Sequence, residues 1–181
     1  MNLPNKITVA RILLIPVFLV VYLAQPFGVH INAWLSLTLF VIAASTDALD
    51  GYYARKLKLV TNFGKLIDPL ADKILVCAAL VAFTFMDTVP AWATIIIVTR
   101  EFYISGLRQL ALEQNIVMAA TSMGKLKTIF QITLIVYVLL PIQFFVFEPV
   151  TLALTIVAVV FTVWSAADYT IKNISVFKGD I

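Results

Sequence analysis

The sequence predicts an all-α integral membrane protein: six transmembrane helices in one bundle, with both termini cytoplasmic. Three observations predict it. The 181 residues are 62% hydrophobic and only 13% charged, with a mean hydropathy of +1.01, whereas a soluble domain carries about a quarter charged residues. Six apolar stretches each approach the roughly 20 residues that a membrane-crossing helix needs. The basic residues, finally, segregate to one side of the alternating connections.

The predicted spans are 7–24, 31–50, 66–86, 91–112, 125–147 and 149–171. The first follows Lys6 and includes Arg11, but no small-x-small cleavage site follows its apolar run, so a retained span is expected rather than a cleaved signal. Asp87 and Pro90 mark a tight turn between the third and fourth spans. Glu148-Pro149 marks another, because proline suits a helix start and disrupts an interior. Pro16 and Pro141 fall inside predicted spans and are expected to kink them. The length allows one domain, 1–181, with no room for a soluble module. Cys77, the single cysteine, has no intrachain partner and sits in an apolar run, as a buried inert thiol would.

With six spans, one side receives the N-terminus, the 50–66 and 112–125 connections and the C-terminus. All 13 Lys and Arg residues fall in or near these segments, and the other three connections carry none. Basic residues mark the cytoplasmic side. His30 then falls on the outer side as a solvated loop residue. The net charge of +3 is modest, and no nucleic-acid partner is expected.

Four carboxylates lie where a bilayer disfavours them: Asp47 and Asp50 at the inner end of the second span, Asp68 and Asp72 at that of the third. A charged side chain at the bilayer centre costs about 2.5 kcal/mol or more and marks a functional site by default. The i, i+3 and i, i+4 spacings put each pair on one helix face, and consecutive helices bring the pairs to a common depth. Four carboxylates at close quarters repel unless cations lie between them, and hard oxygen ligands suit Mg²⁺, Mn²⁺ or Ca²⁺. Two readings compete with ligation. The aspartates pair with Arg55, Lys56, Lys65 and Lys73, or Asp68 caps a helix ahead of Pro69. Gly51 and Gly64 permit close backbone approach to a phosphate, and Arg55 supplies a bidentate phosphate donor. Metal ligands, glycines and an arginine together point to a pyrophosphate-bearing substrate.

The residues Asp47-Ala48-Leu49-Asp50-Gly51-Tyr52-Tyr53-Ala54-Arg55, followed at fixed spacing by Gly64, Asp68 and Asp72, match D-x2-D-G-x2-A-R-x8-G-x3-D-x3-D without departure. This resembles the signature of the CDP-alcohol phosphotransferases, and size and span layout extend the resemblance over nearly the whole chain. The resemblance implies that Asp47, Asp50, Asp68 and Asp72 bind two divalent cations, Mg²⁺ or Mn²⁺, with Asp72 also the general base. It implies that Gly51, Ala54, Arg55, Thr61 and Gly64 contact the CDP group, that Asn5 and Thr8 approach the nucleotide, and that the protein is a homodimer among membrane lipids.

Arg100-Glu101, Ser105-Gly106-Leu107-Arg108 and Gly124-Lys125-Leu126-Lys127-Thr128 resemble the branch of that family that uses glycerol 3-phosphate as acceptor and CDP-diacylglycerol as donor. Arg100 and Arg108 lie eight apart on roughly one helix face, and Lys125 and Lys127 begin the fifth span. Arg100, Arg108 and Lys125 are the expected acceptor-phosphate ligands, with Lys127 less suited than Lys125 to share their face. The competing reading makes these cations anchors for lipid headgroups. Glu101 is expected to pair with a nearby arginine, and Asp168 to be a solvated residue near the last span's inner end. Tyr52, Tyr53 and Trp164 read as membrane-interface anchors. The expected location is a bacterial cytoplasmic membrane, multi-pass, with the active site on the cytoplasmic side. Two alternatives remain open: a related enzyme whose acceptor is inositol phosphate, serine or phosphatidylglycerol, and a divalent-cation transporter. Transporter sites lie near the midplane, often between repeats with broken helices; here the carboxylates lie at one edge and no repeat is visible.

Overall fold

The computed structural model describes residues 3–57, 62–114, 116, 118, 121–141, 147–174 and 176, and within these the side chains of 3–7, 47–57, 62–70 and 72 lie outside the description. The described residues form six α-helices and no strand: α1 (Leu3–Ala24), α2 (Val29–Leu57), α3 (Asn62–Phe85), α4 (Ala91–Glu113), α5 (Ser122–Leu139) and α6 (Phe147–Lys172). Three stretches are long and apolar enough to cross a membrane, Val29–Thr46 of α2, α5 and α6. Shorter apolar stretches occupy Thr8–Ala24 of α1 and Lys73–Phe85 of α3. With its long apolar helices, this is a membrane protein.

Several helix ends differ from the sequence expectation. α2 runs on to Leu57 and α3 begins at Asn62, so the segment 51–65, expected as a connection, is mostly helical. Asp68 therefore lies inside α3 and is not its N-cap. α1 continues through Pro16, but α5 stops at Leu139, two residues before Pro141. Proline lacks the N–H and crowds the preceding turn, so Pro141 follows the helix end instead of kinking a longer span. Pro149 sits in the first turn of α6, where its missing donor costs nothing. The turn before α4 includes Asp87 at φ 55°.

The chain divides into two compact units, Met1–Met86 with Val138–Gln143, and Asp87–Tyr137 with Phe144–Ile181. In the first, α1 packs against α2 and α3, and α2 against α3. The buried stripe of α1 is Thr8, Arg11, Ile15 and Phe18, the three-and-four spacing of one helix face. Leu13, Val17 and Val20 on its other side are exposed, as on a helix whose outer face meets lipid. Arg11 meets Thr46 and Phe18 meets Phe40, so α1 and α2 run antiparallel. Tyr22 packs edge-on against Phe83 of α3 at 5.2 Å. The α2 stripe is Asn32, Ser36, Phe40 and Ala43; the α3 stripe is Ala71, Leu75, Ala79 and Phe83.

In the second unit, α6 buries Thr151, Thr155, Ala158, Val159, Thr162, Ser165 and Tyr169, and α4 buries Ala93, Thr94, Ile97, Glu101, Ile104, Leu107 and Ala111. Small residues on both stripes allow close helix approach. Arg100–Ser165 and Arg108–Tyr169 advance together along both helices, Tyr103 meets Thr170 between them, and Gln114–Val176 continues in the same direction just beyond the helix ends. α4 and α6 are therefore parallel. Phe130 of α5 stacks on Phe161 of α6 at 4.5 Å.

Candidate active site

The first unit supplies the acidic positions. Asp47 and Asp50 lie one turn apart in α2, Asp68 and Asp72 one turn apart in α3, and these helices pack on each other. Gly51, Ala54 and Arg55 occupy the following turns of α2, Gly64 the start of α3, and Asn5 the start of α1. Thr61 lies outside the described residues. The donor set fits hard divalent cations: four carboxylates in two one-turn pairs on two packed helices. Among the described side chains, which do not include these four, no other group of three or more His, Cys, Asp or Glu is placed to hold a metal.

Thr8 is buried on the packing face of α1. So is Arg11, at 1% exposure, which charge patterning had counted among the cytoplasmic anchors. Its Nε donates to Thr46 Oγ1 at 3.0 Å, and Thr46 Oγ1 in turn donates to the Ala43 carbonyl at 2.7 Å. A buried guanidinium requires hydrogen-bonded compensation. This one is anchored to the residue immediately before Asp47. The readable signal was the spacing Thr8, Arg11, Ile15, Phe18, which puts the arginine on the buried stripe.

The second unit by itself holds Arg100, Arg108, Lys125 and Lys127. Arg100 is largely buried; its Nη2 donates to Ser165 Oγ at 3.0 Å and its Nη1 reaches Glu101 Oε1 at 3.4 Å. The expected arginine partner of Glu101 is thus present, but so is a second cation: Lys127, at 5% exposure, pairs with the same carboxylate oxygen. Lys127, expected to share the acceptor face less readily than Lys125, is the one that joins Arg100. Lys127 turns inward onto Glu101, whereas Lys125 is exposed with no ion-pair partner among the described residues. Arg108 is exposed and donates Nε–H to Tyr169 Oη at 2.9 Å, its Cζ 5.4 Å from the tyrosine ring centroid. Lys125 stands in the first turns of α5, whose start is capped by Thr121 Oγ1 accepting from Gly124 N at 3.2 Å. Asp168 is half-buried and pairs with Lys172 at 2.7 Å rather than standing free. Trp164 is exposed, as is His30, which lies in the first turn of α2 and not in a loop, while Tyr52 and Tyr53 have no described side chains. Cys77 is half-buried. Sequence reasoning missed Thr46, Ser165 and Tyr169, neutral residues whose roles come only from their partners.

Residues 1–164 match the model of the CDP-alcohol phosphatidyltransferase family, and the chain belongs to that family. It is similar over 98% of its length, at 47% identity, to a CDP-diacylglycerol–glycerol-3-phosphate 3-phosphatidyltransferase of Bacillus subtilis (strain 168), of which 97% is covered. A protein of the same name from Haemophilus influenzae is 35% identical over 99% of this chain and 95% of its own length. A probable phosphatidylglycerophosphate synthase of Mycobacterium tuberculosis is 33% identical over 98% of this chain and 84% of its own.

Proposed function

We propose that this protein transfers the phosphatidyl group of CDP-diacylglycerol to glycerol 3-phosphate, giving phosphatidylglycerol phosphate and CMP in phospholipid biosynthesis. The observation that carries the reading is an unbroken D-x2-D-G-x2-A-R-x8-G-x3-D-x3-D pattern on two packed helices, in a chain similar end to end to relatives named for that reaction. The protein crosses a bacterial cytoplasmic membrane six times as one domain and one bundle, both termini and the active site being cytoplasmic, and works as a homodimer among membrane lipids. The segregation of its basic residues supports that orientation.

Asp47, Asp50, Asp68 and Asp72 would hold two divalent cations, Mg²⁺ or Mn²⁺. When bound, these would neutralise the pyrophosphate and polarise its oxygens. Gly51, Ala54, Thr61 and Gly64 would line the CDP group, with Asn5 and Thr8 toward the nucleotide. Arg11 and Thr46 would hold the Asp47 turn in place. Asp72 takes the proton of the acceptor hydroxyl, and the freed oxygen attacks the phosphorus that carries diacylglycerol. The new O–P bond forms as the bond to the second phosphate breaks. CMP leaves with that electron pair, its charge met by Arg55. Arg100, Arg108 and Lys125 hold the acceptor phosphate. Acyl chains stay in lipid while the acceptor arrives from water, which is why such a site belongs at the membrane boundary.

The test is CMP release by purified protein in detergent with CDP-diacylglycerol, Mg²⁺ or Mn²⁺, and a panel of acceptors. Release should depend on glycerol 3-phosphate and be abolished in Asp72→Asn. Release only with inositol phosphate, serine or phosphatidylglycerol would move the acceptor assignment, and full turnover in the variant would remove Asp72 as base.

A further inference from the structure

The three cations assigned to the acceptor phosphate differ in what already holds them. Arg100 has both terminal nitrogens engaged, by Glu101 and Ser165. Lys125 is exposed and has no side-chain partner among the described residues. Arg108 is intermediate: only its Nε is bonded, to Tyr169 Oη, and among the described residues Nη1 and Nη2 have no hydrogen-bond partner.

That division of donors has a consequence. A guanidinium held at Nε presents the edge formed by Nη1 and Nη2, and paired N–H groups of this kind bind phosphate oxygens bidentately. The holder is itself fixed. Tyr169 is 2% exposed and packs among Ile104, Leu107, Ala111 and Val176, with Leu110, Ile116 and Met118 at the edge of the cluster. Its ring has no freedom to turn away, so the position of Oη is set by the α4–α6 packing. The ring face adds a second hold on the same guanidinium. Tyr169 also lies beyond residue 164, where the match to the family model ends, so it is no part of the shared signature.

We propose that Tyr169 is a positioning residue for acceptor binding: it orients Arg108 so that the two free nitrogens meet the phosphate of glycerol 3-phosphate. The inference rests on the reading of Arg108 as an acceptor-phosphate ligand. Pre-orientation lowers the entropy that a long side chain loses when ligand binds. The effect therefore belongs to acceptor affinity and not to the chemical step.

The experiment is a set of initial rates for the full-length protein in detergent, varying each substrate in turn, with a thermal-unfolding readout on every variant. Tyr169→Phe keeps the ring in its cluster and removes only Oη. The KM for glycerol 3-phosphate should rise roughly tenfold, the scale of one hydrogen bond to a charged group. The kcat, the KM for CDP-diacylglycerol and the Tm should stay close to those of the parent. Arg108→Lys has no Nε–H to offer, so adding Tyr169→Phe to it should change the KM no further, a coupling that a double-mutant cycle isolates. Two outcomes overturn the proposal alone: an unchanged acceptor KM in Tyr169→Phe while Arg108→Gln raises it, or equal loss in kcat and both KM values with a lowered Tm. If Arg108→Gln itself leaves the acceptor KM unchanged, the reading of Arg108 falls and this inference falls with it.

Discussion

Arg11 carries a full charge on the most buried face of α1, and a charge there persists only if its donors are satisfied. Its Nε–H goes to Thr46, one residue ahead of the first aspartate of the signature. That bond ties α1 to the turn of α2 that bears Asp47. Thr46→Val keeps the shape, removes the acceptor and leaves a buried donor short of a partner. It should cost roughly 1–3 kcal/mol of stability, read by thermal unfolding in detergent. It should also raise the divalent-cation concentration needed for half-maximal activity, because the Asp47 turn loses a brace. A variant as stable as the parent and with the same cation dependence would show that the bond does neither.

The pairing of helices decides which charges are free to act. Glu101 of α4 accepts from Lys127 of α5 and from Arg100 beside it, so one buried carboxylate ties two helices of the second unit. Removing one member of a buried pair strands the other, which costs about 3–5 kcal/mol, whereas a neutral isosteric pair is far better tolerated. Glu101→Gln and Lys127→Met should therefore each lower the unfolding temperature sharply, and the double variant should be more stable than the sum of the two implies. Strict additivity in thermal unfolding would mean that the pair is not coupled. These helices also show what the sequence made legible. Six apolar stretches, the turn at Asp87–Pro90 and the four aspartates at one-turn spacings all follow from periodicity and composition. The ends of α2 and α3 did not: hydropathy falls where the signature begins, although the helices continue through it to Leu57 and from Asn62. Polar helix and polar loop look alike in a hydropathy window. The charge pattern alone does not give the fates of Arg11 and Lys127, because it records the side of the membrane and not the depth in the packing. Arg11 was recoverable from the Thr8–Phe18 stripe. Lys127 needed the position of Glu101.

Among the described residues, the outer faces are far more apolar than a soluble protein's, while the inner stripes mix apolar with polar side chains. Leu13, Val20, Trp34, Ile95, Phe102, Val163 and Trp164 are all well exposed. The polar residues Thr8, Arg11, Asn32, Ser36, Glu101, Lys127, Gln131, Thr155 and Ser165 are buried instead. The central claim is that the four signature aspartates, loaded with divalent cations, move a phosphatidyl group onto glycerol 3-phosphate. The most direct test is transfer of labelled glycerol 3-phosphate into the lipid phase by the purified protein with CDP-diacylglycerol, before and after chelation of divalent cations. Label should enter lipid in step with CMP release, stop on chelation and return when Mg²⁺ or Mn²⁺ is restored. CMP release without label in lipid, or transfer that survives complete chelation, would contradict the account.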